Sequence, residues 1–112
     1  MKFLFKFIFM AFAILVVGYL LPGVTVDNMM SAIIVALVLA LLNTFVKPLL
    51  VIFTIPLTIL TLGLFLLVIN AVIIMLTDYF VSGFNVASFW WALLFSIIVS
   101  LIMSVYESAT KK

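Results

Sequence analysis

Few side chains in this sequence are able to do chemistry, and those few lie far apart. The chain has three carboxylates, Asp27, Asp78 and Glu107, each near the end of an apolar run, and it contains no histidine and no cysteine. Catalysis needs an acid, base, nucleophile or metal held in one place, and the usual zinc and iron ligands are missing. We therefore expect a protein that is not an enzyme, with no catalytic residue, metal, disulfide or cofactor.

A ladder of small residues at a spacing of four occurs twice, with an offset of sixty residues. The two sets are Ala32, Ala36, Ala40 and Thr44, and Ala92, Ser96, Ser100 and Ser104. A spacing of four places each set on one face of a helix. Helices in lipid associate through close packing of such faces and through hydroxyl hydrogen bonds, so the ladders favour helix packing within or between protomers. The alternative is a pore face, with the serines turned toward water.

Asn70 is the polar side chain placed deepest in an apolar run. A buried amide in a membrane most often hydrogen-bonds to a neighbouring helix, and Ser96 lies at a similar predicted depth. We therefore expect Asn70 to hold helices together rather than to bind a ligand.

The elements that must position these residues are membrane-spanning helices. Of the 112 residues, 71% are hydrophobic and 7% are charged, an apolar share far above that of a soluble domain. Apolar runs of roughly 20 residues cross a bilayer as helices. Four such runs occur, at about 3–21, 29–45, 56–77 and 88–106. The predicted fold class is an all-α integral membrane protein with four transmembrane helices in one membrane domain, residues 1–112.

The lysines bear on the first run and on the orientation of the chain. Lys2 and Lys6 before an apolar core are typical of a signal peptide, but no small-residue cleavage site follows, so we interpret the run as a membrane anchor. Positive residues of short loops stay in the cytoplasm. With four spans, all five lysines fall on one side, and Asp27 and Asp78 fall on the other. This pattern predicts that both termini are cytoplasmic.

The stretch KPLLVIFTIPLTILTLG, residues 47–63, contains two prolines between the second and third runs. Proline lacks a backbone donor and disfavours helical geometry in the residue before it, but it is tolerated in a first helical turn. We expect the second helix to end before Lys47, a short segment over 47–56, and a new helix from Pro56. Lys47 would reach lipid headgroups. The segment is therefore predicted to be a cytoplasmic hinge and anchor, formed by Asn43, Lys47, Pro48 and Pro56.

The offset of sixty residues extends beyond the ladders. YLLPGVTVDNMMSA from Tyr19 aligns with YFVSGFNVASFWWA from Tyr79. Each half of the chain is therefore expected to form a helical hairpin, and the two hairpins are repeated in parallel orientation. The extended pieces VTV and FNV follow glycine-containing turns and predict a small β-ribbon outside the membrane, an element that is marginal without further support.

The residues from Asn43 to Asn70, NTFVKPLLVIFTIPLTILTLGLFLLVIN, carry a family resemblance. Together with PGVTVDN before them and GFNVASFWWALLFSIIVSLI after them, they resemble the four-helix membrane proteins called phage holin superfamily IV, the mycobacterial type. The matching positions are Asn43, Lys47, Pro48, Pro56, Leu57, Leu60 to Phe65, Ile69 and Asn70. The resemblance covers nearly the whole chain and implies a bacterial inner-membrane protein. The holin name implies assembly into membrane lesions that release a lytic enzyme, but the family also includes chromosomal proteins with no assigned task.

Two functions remain open after these observations. The first is a holin-like, membrane-permeabilising homo-oligomer, and the alternative is a non-conducting envelope protein that packs against an unidentified membrane partner. An ion-coupled transporter is disfavoured, because such proteins use charged groups or histidines deep in their helices. The net charge of +2 comes from lysines at membrane edges, without the basic patch of a nucleic-acid-binding protein. The lipid bilayer is therefore an expected partner, and nucleic acid is not.

Overall fold

The computed structural model describes residues 2–110, most of which are helical. The elements in chain order are α1 (Lys2–Leu20), β1 (Val24–Val26), α2 (Met29–Leu41), a π-helical turn (Leu42–Val46), α3 (Lys47–Phe53), α4 (Ile55–Leu60), α5 (Phe65–Phe80), β2 (Phe84–Val86) and α6 (Phe89–Thr110). Three helical stretches are long and apolar enough to cross a membrane, namely Lys2–Leu20, Met29–Phe53 and Phe89–Thr110. The helix α5 is apolar but shorter. The prediction of a mostly helical membrane chain is confirmed.

The long helices and α5 pack as a ring. α1 packs against α2 and α6, and α5 packs against α6 and α2. Each pair that is joined by a strand, α1 with α2 and α5 with α6, forms a hairpin. A helix satisfies its own backbone hydrogen bonds, so apolar runs rich in valine and isoleucine become helices where the solvent is lipid.

At one end of the ring, β1 and β2 form an antiparallel ribbon, as the VTV and FNV pieces predict. The paired residues are Val24 with Val86, Thr25 with Asn85 and Val26 with Phe84. Beyond the strands, the Asp27 N–H donates to the Gly83 carbonyl at 3.0 Å, and the Ala87 N–H donates to the Gly23 carbonyl at 2.7 Å. The two bonds are equivalent under the sixty-residue offset. The pairing within the ribbon is therefore approximately two-fold symmetric and follows the sixty-residue repeat.

The core fills the half of the ring next to the ribbon. Phe84 and Phe95 are fully buried, with ring centroids 5.4 Å apart. The equivalent positions in the first half hold Val24 and Val35, which are also buried. The hydroxyl of the buried Thr77 donates to the helix carbonyl four residues earlier at 2.9 Å, which satisfies its polar group. This half of the ring is therefore closed by packed side chains.

The second helix does not end before Lys47 and Pro48, so that prediction is wrong. α2 continues through the π-helical turn into α3, and the helical stretch ends at Phe53. In the turn, the Lys47 N–H donates to the Leu42 carbonyl, five residues earlier. Proline in a regular helix clashes with the carbonyl four residues before it, and the wider turn just before Pro48 relieves that crowding. The helix therefore tolerates the proline.

The helix that starts near Pro56 does not run unbroken over 56–77, which corrects a second prediction. Thr54 separates α3 from α4, and Pro56 lies in the first turn of α4, as expected for a helix start. α4 then ends in a Schellman motif, in which the N–H groups of Leu62 and Gly63 donate to carbonyls three and five residues earlier at 3.1 and 2.8 Å. These two residues have φ angles of 57° and 91°. A right-handed helix cannot continue through left-handed residues, so α5 begins only after this turn.

Candidate functional site

The ring encloses a cavity of about 370 Å³ in the half that lies away from the ribbon. Its wall draws residues from α1, from α2 with the π-helical turn, from α5 and from α6. Seven residues of the predicted ladders, amide and hinge line this cavity: Ala40, Asn43, Thr44, Lys47, Asn70, Ser96 and Ser100. The charged side chains of Lys6 and Glu107 complete the polar part of the wall. The rest of the wall is apolar.

The two small-residue ladders run from the core into the cavity. Three members, Ala32, Ala36 and Ala92, are fully buried in the half next to the ribbon. The later members Ala40 and Ser100 lie on the cavity wall instead. Ser96 is both buried and part of the wall, whereas Ser104 is exposed outside the cavity. Each ladder therefore packs inside its own chain at one end and faces an open space at the other.

The hydrogen bonds divide the polar wall into two groups. Ser96 donates to the Leu93 carbonyl at 2.8 Å, and Thr44 donates to the carbonyl four residues earlier at 2.7 Å. Asn43, Asn70 and Ser100 make no side-chain hydrogen bond within residues 2–110, so the interhelical bond expected for Asn70 is not formed there. Three polar side chains of the wall are therefore available to a polar species in the cavity.

An ion pair stands at the rim of the cavity. The Lys6 ammonium pairs with the Glu107 carboxylate, and both side chains are about half exposed. Phe9 stacks on Tyr106 next to this pair, with ring centroids 4.4 Å apart. Both contacts join α1 to α6 and so connect the two hairpins. This pair was not predicted from the sequence, although opposite charges near helix ends on the same predicted side of the membrane are a signal for it.

The four residues of the predicted hinge lie in two environments. Asn43 and Lys47 line the cavity, and Lys47 forms no ion pair within the part of the chain that the structure describes. Pro48 and Pro56 are exposed in the first turns of α3 and α4. The π-helical turn and the residue after it therefore supply wall residues. Pro48 lies within the continuous helical stretch Met29–Phe53, and Pro56 marks the start of α4.

The remaining carboxylates take no part in this cavity. The Asp78 carboxylate accepts a hydrogen bond from the Val86 N–H at 3.1 Å, and so it supports the ribbon. Across residues 2–110, no three His, Cys, Asp or Glu side chains are placed to hold a metal ion. The cavity instead offers amides, hydroxyls and a lysine beside hydrocarbon side chains. Such a wall is suited to bind or pass a polar species within an apolar protein.

Apolar helices of membrane-spanning length around a polar cavity define a small helical membrane protein. The sequence matches, over residues 1–105, the family described as "Mycobacterial 4 TMS phage holin, superfamily IV". The chain belongs to this family, and the resemblance found in the sequence is confirmed.

Two relatives of the chain come from bacteria. The chain is 39% identical to the uncharacterized membrane protein YvlD of Bacillus subtilis over 92 residues, which cover 81% of this chain and 77% of that protein. It is 41% identical to an uncharacterized protein of Streptomyces coelicolor over 111 residues, which cover 90% of this chain and 89% of that protein. No solved structure matches the chain. The function is therefore argued from the family and the cavity.

Proposed function

We propose that this chain is a four-span protein of the bacterial inner membrane that assembles into a holin-like, membrane-permeabilising homo-oligomer. The observation that carries the proposal is the group of open polar side chains, Asn43, Asn70 and Ser100, around one cavity in an otherwise apolar ring. Unsatisfied polar groups are costly in hydrocarbon and mark the positions in membrane proteins that water or a polar solute reaches. A water path would run along this cavity.

The proposal takes α5 as the fourth span. Its 16 residues rise about 24 Å, less than the roughly 30 Å of a hydrocarbon core, and a bilayer thins locally around a short span. In support, α5 packs along α6 as α1 packs along α2, and both α1 and α5 lead into the ribbon. The two hairpins then have the same orientation, with the ribbon outside and both termini in the cytoplasm.

The ring as described is a closed state. The half next to the ribbon is filled by core side chains that include Ala36, Phe84 and Phe95. Permeation therefore requires the two hairpins to move apart. At the cavity end, they are joined by the exposed Lys6–Glu107 pair, and exposed pairs of this kind stabilise by about 0–1 kcal/mol. Opening would begin at this end.

Self-association would use a surface other than the ladders. Ala32, Ala36 and Ala92 are fully buried within their own chain, so a second copy cannot pack against them without unfolding the ring. A different set of large apolar side chains is highly exposed, on α3, on α4 and in the turn after α4. Phe53 and Leu62 are among them. These side chains supply an apolar surface for lipid or for other copies of the chain.

The test is induced expression in a bacterium whose membrane potential is followed over time. The parent should collapse the potential abruptly once enough protein has accumulated. Asn70→Leu replaces the amide on the cavity wall by an apolar side chain with the same number of heavy atoms, so it should delay or abolish the collapse at equal protein level. Val105→Leu is the matched control, because Val105 is 69% exposed on α6 and lipid adapts to the added carbon. This control should behave like the parent.

The competing function is a non-conducting envelope protein that packs against a membrane partner. It is favoured by the packed core that closes the half of the ring next to the ribbon. The expression experiment separates the two functions. Normal growth and a normal potential at high levels of the parent would contradict permeabilisation and leave the non-conducting function.

A further inference from the structure

We infer that the cavity binds a phosphate group, and that its occupant is the headgroup of an anionic membrane phospholipid. The inference concerns the closed chain and does not depend on permeabilisation. It is carried by the charge of the wall, by the unused hydrogen-bonding groups on it and by the apolar side chains beside them.

The wall of the cavity has an excess of positive charge. Lys6, Lys47 and Glu107 are its charged residues, which leave one net positive charge. Lys6 is neutralised by Glu107, so Lys47 is the cation available to a ligand. Basic pockets between transmembrane helices on the cytoplasmic side hold anionic lipid headgroups, and the lysines place this cavity on that side.

The π-helical turn brings the binding groups together. Asn43 lies within the turn and Lys47 follows it directly, and both residues line the cavity. Turns of this kind occur mostly as single insertions in α-helices, frequently at functional sites. Here the extra residue per turn changes which side chains of the helix face the ring. An irregular turn makes the helix less regular, and a ligand bound by the groups that it presents would account for its presence at this position.

The wall supplies the donors that a phosphate requires. A phosphate oxygen accepts strong hydrogen bonds from ammonium, amide and hydroxyl groups. Asn70 and Ser100 add an amide and a hydroxyl to the groups of the π-helical turn, and neither side chain is hydrogen-bonded within residues 2–110. These donors come from α5 and α6, the helices of the second hairpin, so a bound phosphate would be held from both hairpins.

The apolar part of the wall favours a lipid over a free anion. Phe7, Met10 and Met103 are among the apolar side chains that line the cavity beside the polar groups. A small inorganic anion would leave these side chains against water, whereas the glycerol and the first acyl carbons of a lipid would cover them. The volume of about 370 Å³ lies in the range of roughly 300–1,000 Å³ typical of small-molecule sites.

The experiment measures lipid binding to the purified full chain in a neutral detergent by native mass spectrometry. Phosphatidylglycerol is the anionic probe, phosphatidylcholine is the zwitterionic comparison, and inorganic phosphate is added as a competitor. We expect one phosphatidylglycerol to bind more tightly than phosphatidylcholine and to survive phosphate at a concentration equal to its own. Displacement under those conditions would assign the site to a free anion and overturn the lipid assignment.

Two lysine variants test the location of the site. Lys47→Gln should weaken phosphatidylglycerol binding by about fivefold, the effect of one lysine at a lipid surface. Lys2→Gln is the matched control, because Lys2 is exposed on the same end of the ring and lies off the cavity wall. It should leave the affinity unchanged. Equal weakening by the two variants, or equal affinity of the parent for the two lipids, would overturn the inference.

Asn70→Leu gives an independent check on the donors of the wall. The apolar side chain has the same number of heavy atoms as the amide but no hydrogen-bonding group, so it should reduce the preference for phosphatidylglycerol while the helical circular dichroism and the elution volume stay as in the parent. Lys47→Arg, which keeps the charge, should retain the preference. A preference that Asn70→Leu leaves unchanged would place the lipid outside the cavity and contradict the inference.

Discussion

Two glycines let the ribbon approach the helices, and the sixty-residue repeat places them at equivalent positions. A Cβ atom on Gly23 would lie 2.1 Å from Cδ2 of Trp91, and one on Gly83 would lie 2.2 Å from Oγ of Ser31 and 2.9 Å from its Cβ. Ser31 and Trp91 are themselves sixty residues apart. Each half therefore packs the first turn of its second helix against the glycine turn of the other half.

Replacing Gly83 by Ala should lower the thermal midpoint of the chain in detergent. The new methyl group overlaps Ser31, and overpacking of this kind costs about 1–3 kcal/mol. Ser31→Gly in the same chain removes the clashing atoms and should restore most of the midpoint. Ser31→Gly alone is the control for the loss of the serine. If Gly83→Ala lowered the thermal midpoint equally with and without Ser31→Gly, the contact between residues 83 and 31 would not be what limits the packing.

The repeat is not exact at the position before the ribbon. Asp78 accepts a hydrogen bond from the Val86 N–H, whereas its equivalent Gly18 has no side chain to do so. A Cβ on Gly18 would lie 2.8 Å from Cγ2 of Val26. In the first half, Val26 therefore packs directly against the backbone of α1, whereas in the second half a carboxylate of α5 hydrogen-bonds to the strand. The difference lies at the ribbon end, away from the cavity.

The ribbon is short, and its support comes from the helices beneath it. An isolated pair of strands is marginal in water, but here Val24 and Phe84 anchor it in the core. The two strands are contributed by different halves of the chain. The ribbon therefore connects the hairpins at one end of the ring, as the Lys6–Glu107 pair connects them at the other.

Cysteines at Thr25 and Asn85 should form an intramolecular disulfide on mild oxidation. These residues face each other in the ribbon and are exposed, and opposite residues of antiparallel strands have Cα atoms about 4.5–5.5 Å apart, within the range for a disulfide. The chain has no native cysteine to compete. Thr25→Cys with Ala87→Cys is the control, because these two residues are diagonal neighbours in the ribbon and their spacing is too long for a disulfide. The measurement is gel mobility with and without reductant, and faster oxidation of the control pair would contradict the register.

The helix ring has two distinct ends, one with the ribbon and one with the cavity and with Lys2, Lys6 and Lys47. In the proposed topology the two hairpins have the same orientation, and both connections at the ribbon end lie on the outer side. The positive-inside rule supports a cytoplasmic position for the end with the lysines in that topology.

This topology predicts how single cysteines react with an impermeant thiol reagent on intact cells whose outer envelope is permeable. Ser82→Cys, in the turn before β2, should be labelled, and Thr110→Cys, at the end of α6, should not. Both residues are exposed on the structure, so burial does not explain a difference. Labelling of Thr110→Cys alone would invert the orientation, and labelling of both would show that α6, the one helix between the two sites, does not cross the membrane.

The sequence by itself determined the surrounding solvent, the predominance of helix, the two extended pieces and the family. Long apolar runs with few charges specify helices in lipid, because a backbone there must satisfy its own hydrogen bonds. The VTV and FNV pieces after their glycines predicted the two strands, and NTFVKPLL with the following pattern indicated the family. Each of these features can be read from one segment of the chain, whereas the pairing of the two strands joins segments about sixty residues apart.

Only the tertiary structure decided where the helices bend and what the ladder residues face. The second helix continues past Pro48 to Phe53 because a π-helical turn makes room for the pyrrolidine of the proline. The next helix, α4, ends before Leu62 because the backbone is left-handed there. Ala36 is buried while Ser100 lies on a cavity wall, although both belong to equivalent patterns. The cavity exists because four segments distant in the chain meet around it, and such non-local packing cannot be read from the spacing within one helix.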